Sequence, residues 1–117
     1  MALERMKKMN ETIGKEVTVN GVDVKAYSRK LVTDESKLTI LAGTTGICGG
    51  DREAGSRTIV TIENTGKSDF FADVERDETG ETKSVVIAAC GDNELLNLIK
   101  GLLFVLDVLT ETALGDD

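Results

Sequence analysis

Residues 92–114 read DNELLNLIKGLLFVLDVLTETAL, and this stretch decides the fold. Apolar side chains recur along it at spacings of four and three, which is the period of one face of an α-helix. Asp92 suits the start of a helix and Gly115 suits its end. The sequence therefore predicts a helix over residues 93–114, roughly 33 Å long at about 1.5 Å per residue. The apolar stripe consists of Leu95, Ile99, Leu102, Leu106, Leu109 and Ala113.

The predicted helix is also apolar outside that stripe. A single sheet covers about a third of a helix's circumference, so the further side chains need a second covering surface. If five of them stayed in water at about 1.5 to 3 kcal/mol each, the cost would rival the whole stability of a small domain. We therefore expect the helix to be buried on two sides. The further apolar residues are Leu96, Leu98, Leu103, Phe104, Val105 and Val108.

A second copy of the chain is the simplest cover for such a helix, because a two-fold dimer buries an apolar patch on both partners at once. The sequence thus predicts a homodimer or a higher homo-oligomer. The alternative is that one sheet and an N-terminal helix cover the whole apolar surface within one chain. The expected interface residues are Leu95, Ile99, Leu102, Leu106 and Leu109.

Upstream of this helix the hydrophobic period changes to two, which indicates β-strands. Asn20 and Gly21 form the strongest two-residue hairpin signal in the chain. About six strands in up-and-down order follow, separated by turn-like stretches. The last of them, KSVVIAACG, is the most apolar and is predicted to be central in the sheet. The strands are expected near residues 15–19, 22–32, 37–48, 57–64, 70–76 and 83–91.

A short helix is predicted at the start of the chain, over residues 2–13. Ala2, Met6, Met9 and Ile13 lie on one helical face, and Gly14 follows as a C-terminal cap. The expected fold is a single α+β domain over residues 1–117. It comprises an antiparallel sheet of about five to seven strands, flanked by the short N-terminal helix and the long apolar C-terminal helix.

Composition argues against catalysis. The chain of 117 residues has no histidine, so it lacks the usual general base near neutral pH, Ser-His and Cys-His pairs, and most zinc sites. Cys48 and Cys90 match no metal-binding or redox spacing. A cysteine enzyme using Cys48 near Arg52 would lack an identifiable base. We therefore expect a protein that is not an enzyme and holds no metal or cofactor.

Net charge and hydropathy restrict the partners. The formal charge is −7, and residues 41–117 carry fifteen acidic and six basic side chains. Such a chain would repel polymeric nucleic acid. The longest apolar run, LLFVL, is far shorter than the roughly 20 residues of a membrane span, and the first residues do not resemble a secretory signal. We expect a cytoplasmic protein that binds neither nucleic acid polymers nor membranes.

A glycine-rich stretch, LAGTTGICGGDREAGSRT, occupies residues 41–58. Glycines allow backbone amides to converge on an anion, and arginines suit phosphate or carboxylate groups. Neither GxxxxGK[ST] nor a GxGxxG that opens a helix is present. The alternative is a long hairpin loop that merely accumulates glycine. The candidate ligand residues in this stretch are Gly43, Thr44, Thr45, Gly46, Gly49, Gly50, Arg52 and Arg57.

Three further candidate ligand residues lie outside that stretch. Gly91 and Asn93 stand where the last strand meets the long helix, whose N-terminal amides favour an anion. Asp92 and Glu94 already supply negative charge at this junction, so an ordinary acidic helix start is the alternative. Arg29 is a third candidate, because its side chain can pair with or stack on a nucleotide base.

Two functional hypotheses result from these patterns. The first is a non-enzymatic homo-oligomer that binds or sequesters a small anionic, nucleotide-like metabolite at the glycine-rich strand connection, near the interface between protomers. The second is an acidic dimeric adaptor or chaperone that binds a protein or peptide client. The second hypothesis makes no use of the glycines.

Overall fold

The structure, a computed structural model, describes residues 13–47 and 55–114. It is an α+β fold with two antiparallel sheets and a long C-terminal helix, as expected in outline from the sequence. A four-stranded sheet has the order β1-β2-β3-β4, and a two-stranded sheet consists of β5 and β6. The elements are β1 Ile13–Val19, β2 Val22–Thr33, β3 Ser36–Thr44, β4 Thr58–Asn64, β5 Phe70–Arg76, β6 Thr82–Ala89 and α1 Asp92–Ala113.

The division into two sheets corrects the prediction of one sheet with five to seven strands. The prediction that the strand near residues 83–91 is central was also wrong, because β6 pairs with β5 alone among the described strands. Its apolar run is exposed over much of its length. A run of apolar residues shows that a strand needs covering on both faces, but it does not show what covers it.

The predicted N-terminal helix, residues 2–13, lies outside the described residues except for Ile13. Ile13 is the first residue of β1, opposite Ser28 of β2. The hairpin between β1 and β2 turns at Asn20 and Gly21, whose φ angles are 50° and 80°. Two consecutive residues with positive φ match the right-handed twist of the flanking strands, so this sequence prediction is confirmed.

Helix α1 packs across β2 and β3. Gly101 permits the close approach, because a Cβ atom there would lie 2.9 Å from Cγ1 of Ile40 and 3.1 Å from Cδ1 of Leu31. The opposite face of the four-stranded sheet buries Val24 and Leu41. The core between helix and sheet contains Tyr27, Leu31, Ile40, Ala42, Phe104 and Val108, with Ile62 and Val105 packed against it.

A buried polar network fixes the first turns of α1 on the sheet. Asn97 has no exposed surface. Its amide nitrogen donates to the carbonyl oxygen of Ser36 at 2.9 Å and to the Ser36 hydroxyl at 3.1 Å, and its amide oxygen accepts from the Thr33 hydroxyl at 2.7 Å. The Ser36 hydroxyl also lies 2.9 Å from that of Ser68, which precedes β5. One side chain thereby joins α1 to the turn between β2 and β3 and, through Ser36, to the segment that leads into β5.

Replacing Asn97 should destabilise the fold. Asn97→Ala removes the hydrogen bonds to the half-buried Thr33 hydroxyl and to the Ser36 carbonyl, and we expect a loss of about 1 to 3 kcal/mol in the free energy of unfolding. Asn93→Ala is the matched control, because Asn93 is on the same helix and only half-buried. Urea unfolding of both variants measures the difference, and equal stabilities would contradict the role given to Asn97.

Candidate functional site

The glycine-rich stretch connects β3 to β4, as predicted, and its two ends are joined by hydrogen bonds. The amide of Thr45 donates to the carbonyl of Arg57, and the amide of Arg57 donates to the Thr45 hydroxyl, both at 2.9 Å. The hydroxyls of Thr44 and Thr58, which are opposite each other on the two strands, lie 2.8 Å apart. Both threonine side chains predicted to bind a ligand therefore hold the connection in shape.

Gly43 is required by the packing of two strands. It lies in the middle of the sheet, buried between β2 and β4. A Cβ atom at Gly43 would lie 2.6 Å from the carbonyl oxygen of Lys25 and 2.8 Å from Cα of Ala26. Since these are backbone atoms, the strands would have to move apart. Sheet packing alone explains this glycine.

Gly46 and Gly55 give the connection its backbone conformation. Their φ angles are +86° and +76°, a region that other residues rarely adopt. The amide of Gly46 donates to the Thr44 hydroxyl at 3.1 Å. A Cβ atom at Gly46 would lie 3.4 Å from the carbonyl oxygen of Thr112, in the last turn of α1. The connection therefore lies against the C-terminal end of the helix.

Arg57 places a buried positive charge in this connection. Its side chain is among the few buried charged groups of the described residues, and Nη1 donates to the carbonyl oxygen of Gly55 at 3.1 Å. A guanidinium held close to left-handed glycines can recognise a phosphate or carboxylate group. The other candidates in this stretch, Gly49, Gly50 and Arg52, lie outside the described residues.

The other predicted ligand residues are not brought to this connection within one chain. Gly91 and Asn93 lie at the opposite end of α1, roughly 30 Å away along a helix that rises about 1.5 Å per residue. Arg29 lies midway along β2, opposite Ile40, and its guanidinium carbon is 4.6 Å from the ring centre of Phe104. Arg29 therefore stacks beneath the helix.

The start of α1 carries its own negative charge. Gly91 is the N-cap residue of the helix, and no side chain makes a capping hydrogen bond there. Glu94 is buried and accepts a hydrogen bond from the amide of Asp69 at 2.9 Å. Its carboxylate folds back over Gly91, where a Cβ atom would collide with it. A carboxylate thus already occupies the positive end of the helix dipole.

The predicted interface stripe of α1 faces away from the sheet. The buried residues that face the sheet are Asn97, Gly101, Phe104 and Val108. At 100° per residue, the stripe is centred roughly 150° around the helix from them. Its residues Leu95, Ile99, Leu102 and Leu106 are about half exposed, and Leu109 is half-buried.

Sequence reasoning missed a second apolar surface, on the hairpin formed by β5 and β6. A groove of about 330 Å³ lies between this hairpin and β4. The signal in the sequence was the run VVIAA, which is apolar on both faces of its strand. An isolated two-stranded hairpin is marginally stable in water. Its exposed apolar residues are Phe71, Val74, Val85, Val86 and Ile87. The groove is lined by Val60, Ile62, Phe70, Ala72, Val85 and Ile87.

The tip of this hairpin is held by the carboxylate of Asp77. It accepts hydrogen bonds from the Thr79 hydroxyl at 2.7 Å and from the amides of Thr79 and Glu81 at 2.9 and 3.0 Å. The Thr79 hydroxyl, followed by the Glu81 amide, lowers the pKa of Asp77 below its ordinary value. These hydrogen bonds therefore favour the charged form of the carboxylate in the folded hairpin.

Comparison with known proteins gives no family: no protein-family model, no curated protein and no solved structure matches this chain. Within residues 13–47 and 55–114, no helix is long and apolar enough to cross a membrane. The same residues contain no group of three or more cysteine, aspartate or glutamate side chains that could hold a metal ion.

Gly43→Ala tests the packing role of this glycine. The added methyl meets backbone atoms of β2 that cannot move without separating the strands, so we expect a loss of about 1 to 3 kcal/mol in the free energy of unfolding. Gly14→Ala is the control, because its methyl would make only ordinary contacts, at 3.5 Å or more, with Tyr27. Thermal and urea unfolding measure both. A Gly43→Ala protein as stable as the control would show that the glycine serves another purpose.

Proposed function

We propose that this chain is a non-enzymatic homo-oligomer that binds, and thereby sequesters, a small anionic, nucleotide-like metabolite at the β3–β4 connection. One observation carries the proposal: the exposed leucine stripe of α1 runs along the helix toward the end where Gly46 contacts Thr112. A second copy that covered the stripe would lie next to the glycine-rich connection. The connection would then be part of a pocket between two protomers.

The chemistry of the connection favours an anion. The chain carries a formal charge of −7, so an anionic ligand needs a local source of positive charge and of hydrogen-bond donors. Arg57 supplies a buried guanidinium, and Gly55, which is half-buried, has open space where a side chain would lie. Arg52, with Gly49 and Gly50, would add a second guanidinium and further amides from the same stretch. This donor set suits a phosphate group.

A second copy would also account for Gly91 and Asn93 as ligand residues. They cannot reach the connection of their own chain, because the length of α1 separates them from it. A two-fold axis perpendicular to the helices runs the two α1 helices of a dimer in opposite directions, so that the start of one can lie toward the end of the other. Asn93 of one copy would then offer its amide to a ligand held by the connection of the other copy.

Binding without turnover fits the residues better than catalysis does. The chain has no histidine, and the described residues hold no cluster of acidic or cysteine side chains around the connection. Arg57 and backbone amides can bind an anion, but they cannot take up a proton near neutral pH. We place such a sequestering protein in the cytoplasm, where nucleotide metabolites occur.

Calorimetric titration with cyclic and linear nucleotides tests the proposal. Arg52→Ala and Arg57→Ala should each weaken binding at least about tenfold, since each removes a charged donor, and about 1.4 kcal/mol corresponds to tenfold. Arg76→Ala is the control, because Arg76 bonds Gly80 and Thr82 at the exposed hairpin tip. Thermal unfolding of each variant establishes that it folds. The absence of heat with every nucleotide would reject ligand binding.

The exposed hairpin favours a second candidate function. Its apolar residues and the groove beside β4 form a surface that a peptide could cover, as expected of an acidic dimeric adaptor or chaperone. Under this function the glycine-rich connection has no role. A protein that co-purifies in a fixed ratio would favour the adaptor, whereas a retained small molecule would favour sequestration.

A further inference from the structure

We propose that the groove between β4 and the β5–β6 hairpin receives helix α1 of a second copy of this chain. Each helix would then be covered by its own sheet on one side and by the partner's hairpin on the other. This inference rests on the homo-oligomer in the proposed function, and it identifies the surface that the leucine stripe contacts.

The helix offers a continuous apolar ridge. Six side chains between Leu95 and Leu106 are about half exposed, and they lie on the half of α1 that faces away from the sheet. The nearest charged residues of the helix, Lys100 and Asp107, lie beside this ridge and do not interrupt it. The six are Leu95, Leu96, Ile99, Leu102, Leu103 and Leu106.

The groove offers a matching apolar surface. All six residues that line it are apolar, and they come from one strand of the large sheet and from both strands of the hairpin. Ile62, on its floor, also packs against the core beneath α1. The groove therefore extends the core sideways, on the same face of the sheet that α1 covers.

The chain's own helix cannot fill this groove. Asn97 and Gly101 hold α1 over β2 and β3, and its exposed ridge points away from the sheet. The base of the hairpin is fixed as well, because the amide of Cys90 donates to the carbonyl of Asp69 and Glu94 accepts from the Asp69 amide. Ridge and groove thus belong to one chain but cannot meet within it.

The exposed area is what a stable dimer needs. The ridge exposes six large apolar side chains, and the groove exposes three more, Val60, Val85 and Ile87. At about half exposure each, and with about 60 to 120 Å² per side chain implied by a burial value of 1.5 to 3 kcal/mol, these nine side chains present on the order of 250 to 550 Å² of apolar area. A standard interface buries about 800 Å² per partner, of which about 60% is apolar. Each chain carries both a ridge and a groove. A dimer with one two-fold axis therefore buries both ridges and both grooves.

Two substitutions on neighbouring residues of β6 test this arrangement. Val85 lines the groove and is 59% exposed, whereas Val86 is 57% exposed and lies on the other face of the hairpin. Val85→Lys should raise the dimer dissociation constant about a hundredfold, because the interface would bury an unpaired ammonium group. Val86→Lys should leave it within about threefold. Sedimentation velocity over a range of concentrations measures both, and Leu102→Lys on the ridge should act like Val85→Lys.

Cysteine cross-linking identifies which surfaces meet, even if one lysine variant fails to fold. In a background with Cys48→Ser and Cys90→Ser, one protein carries Leu106→Cys and another carries Val85→Cys. Oxidation of the mixture should give a disulfide between the two different chains, with less product from either protein alone. Ridge and groove would then be in contact across the dimer.

Several results would overturn the inference. A wild-type protein that is monomeric at tens of micromolar rejects the inference. In that case another partner, such as residues 1–12 or a client protein, would cover the groove. A dimer that Leu102→Lys dissociates and Val85→Lys does not would show that the helices pair with each other; the groove inference then fails while the homo-oligomer stands. None of these measurements uses a nucleotide, so a failure of ligand binding remains distinguishable.

Discussion

The buried amide of Asn97 is the constraint on which the rest of the structure depends. A helix that is apolar around most of its circumference gains nearly the same free energy whichever side it buries. Asn97 removes this ambiguity, because its amide finds three hydrogen-bond partners only when it faces Thr33 and Ser36. Gly101 then lies over Ile40 and Leu31, whose side chains would have to shift to admit a Cβ atom there. A polar group and a glycine therefore decide which side of α1 faces the sheet.

This orientation turns the leucine stripe outward. The same network reaches Ser68, and Glu94 bonds the amide of Asp69, so the hairpin base is fixed relative to the helix. The outcome is a chain with two apolar surfaces that its described residues do not cover. In the proposed dimer, a second copy would cover both surfaces and bring its own helix toward the glycine-rich connection.

Much of the secondary structure could be predicted because local rules dominate it. The period of α1, the turn at Asn20 and Gly21, and the positions of the strands along the chain all follow from spacing and turn chemistry. The separation into two sheets could not be predicted in this way. VVIAA in β6 is as apolar as a central strand, and an apolar run does not show whether a neighbouring strand covers it.

The glycine-rich connection shows the same limit at the level of single residues. Its location between two strands was predictable, but the reason for each glycine was not. Gly43 serves the packing of β3 against β2, whereas Gly46 and Gly55 adopt positive φ around Arg57. Glycine content alone could not separate these roles, since each depends on which backbone atoms the fold brings within van der Waals distance. The hydroxyls of Thr44 and Thr45 are likewise engaged by the fold itself.

Native mass spectrometry of the protein as purified tests the central claim most directly, because it reports the number of chains and any retained small molecule together. The account predicts a dimer or a higher even-numbered assembly, with the dimer as its smallest stable unit. A monomer as the only species at micromolar concentration would contradict it, because both apolar surfaces would then remain in water or be covered from within the chain.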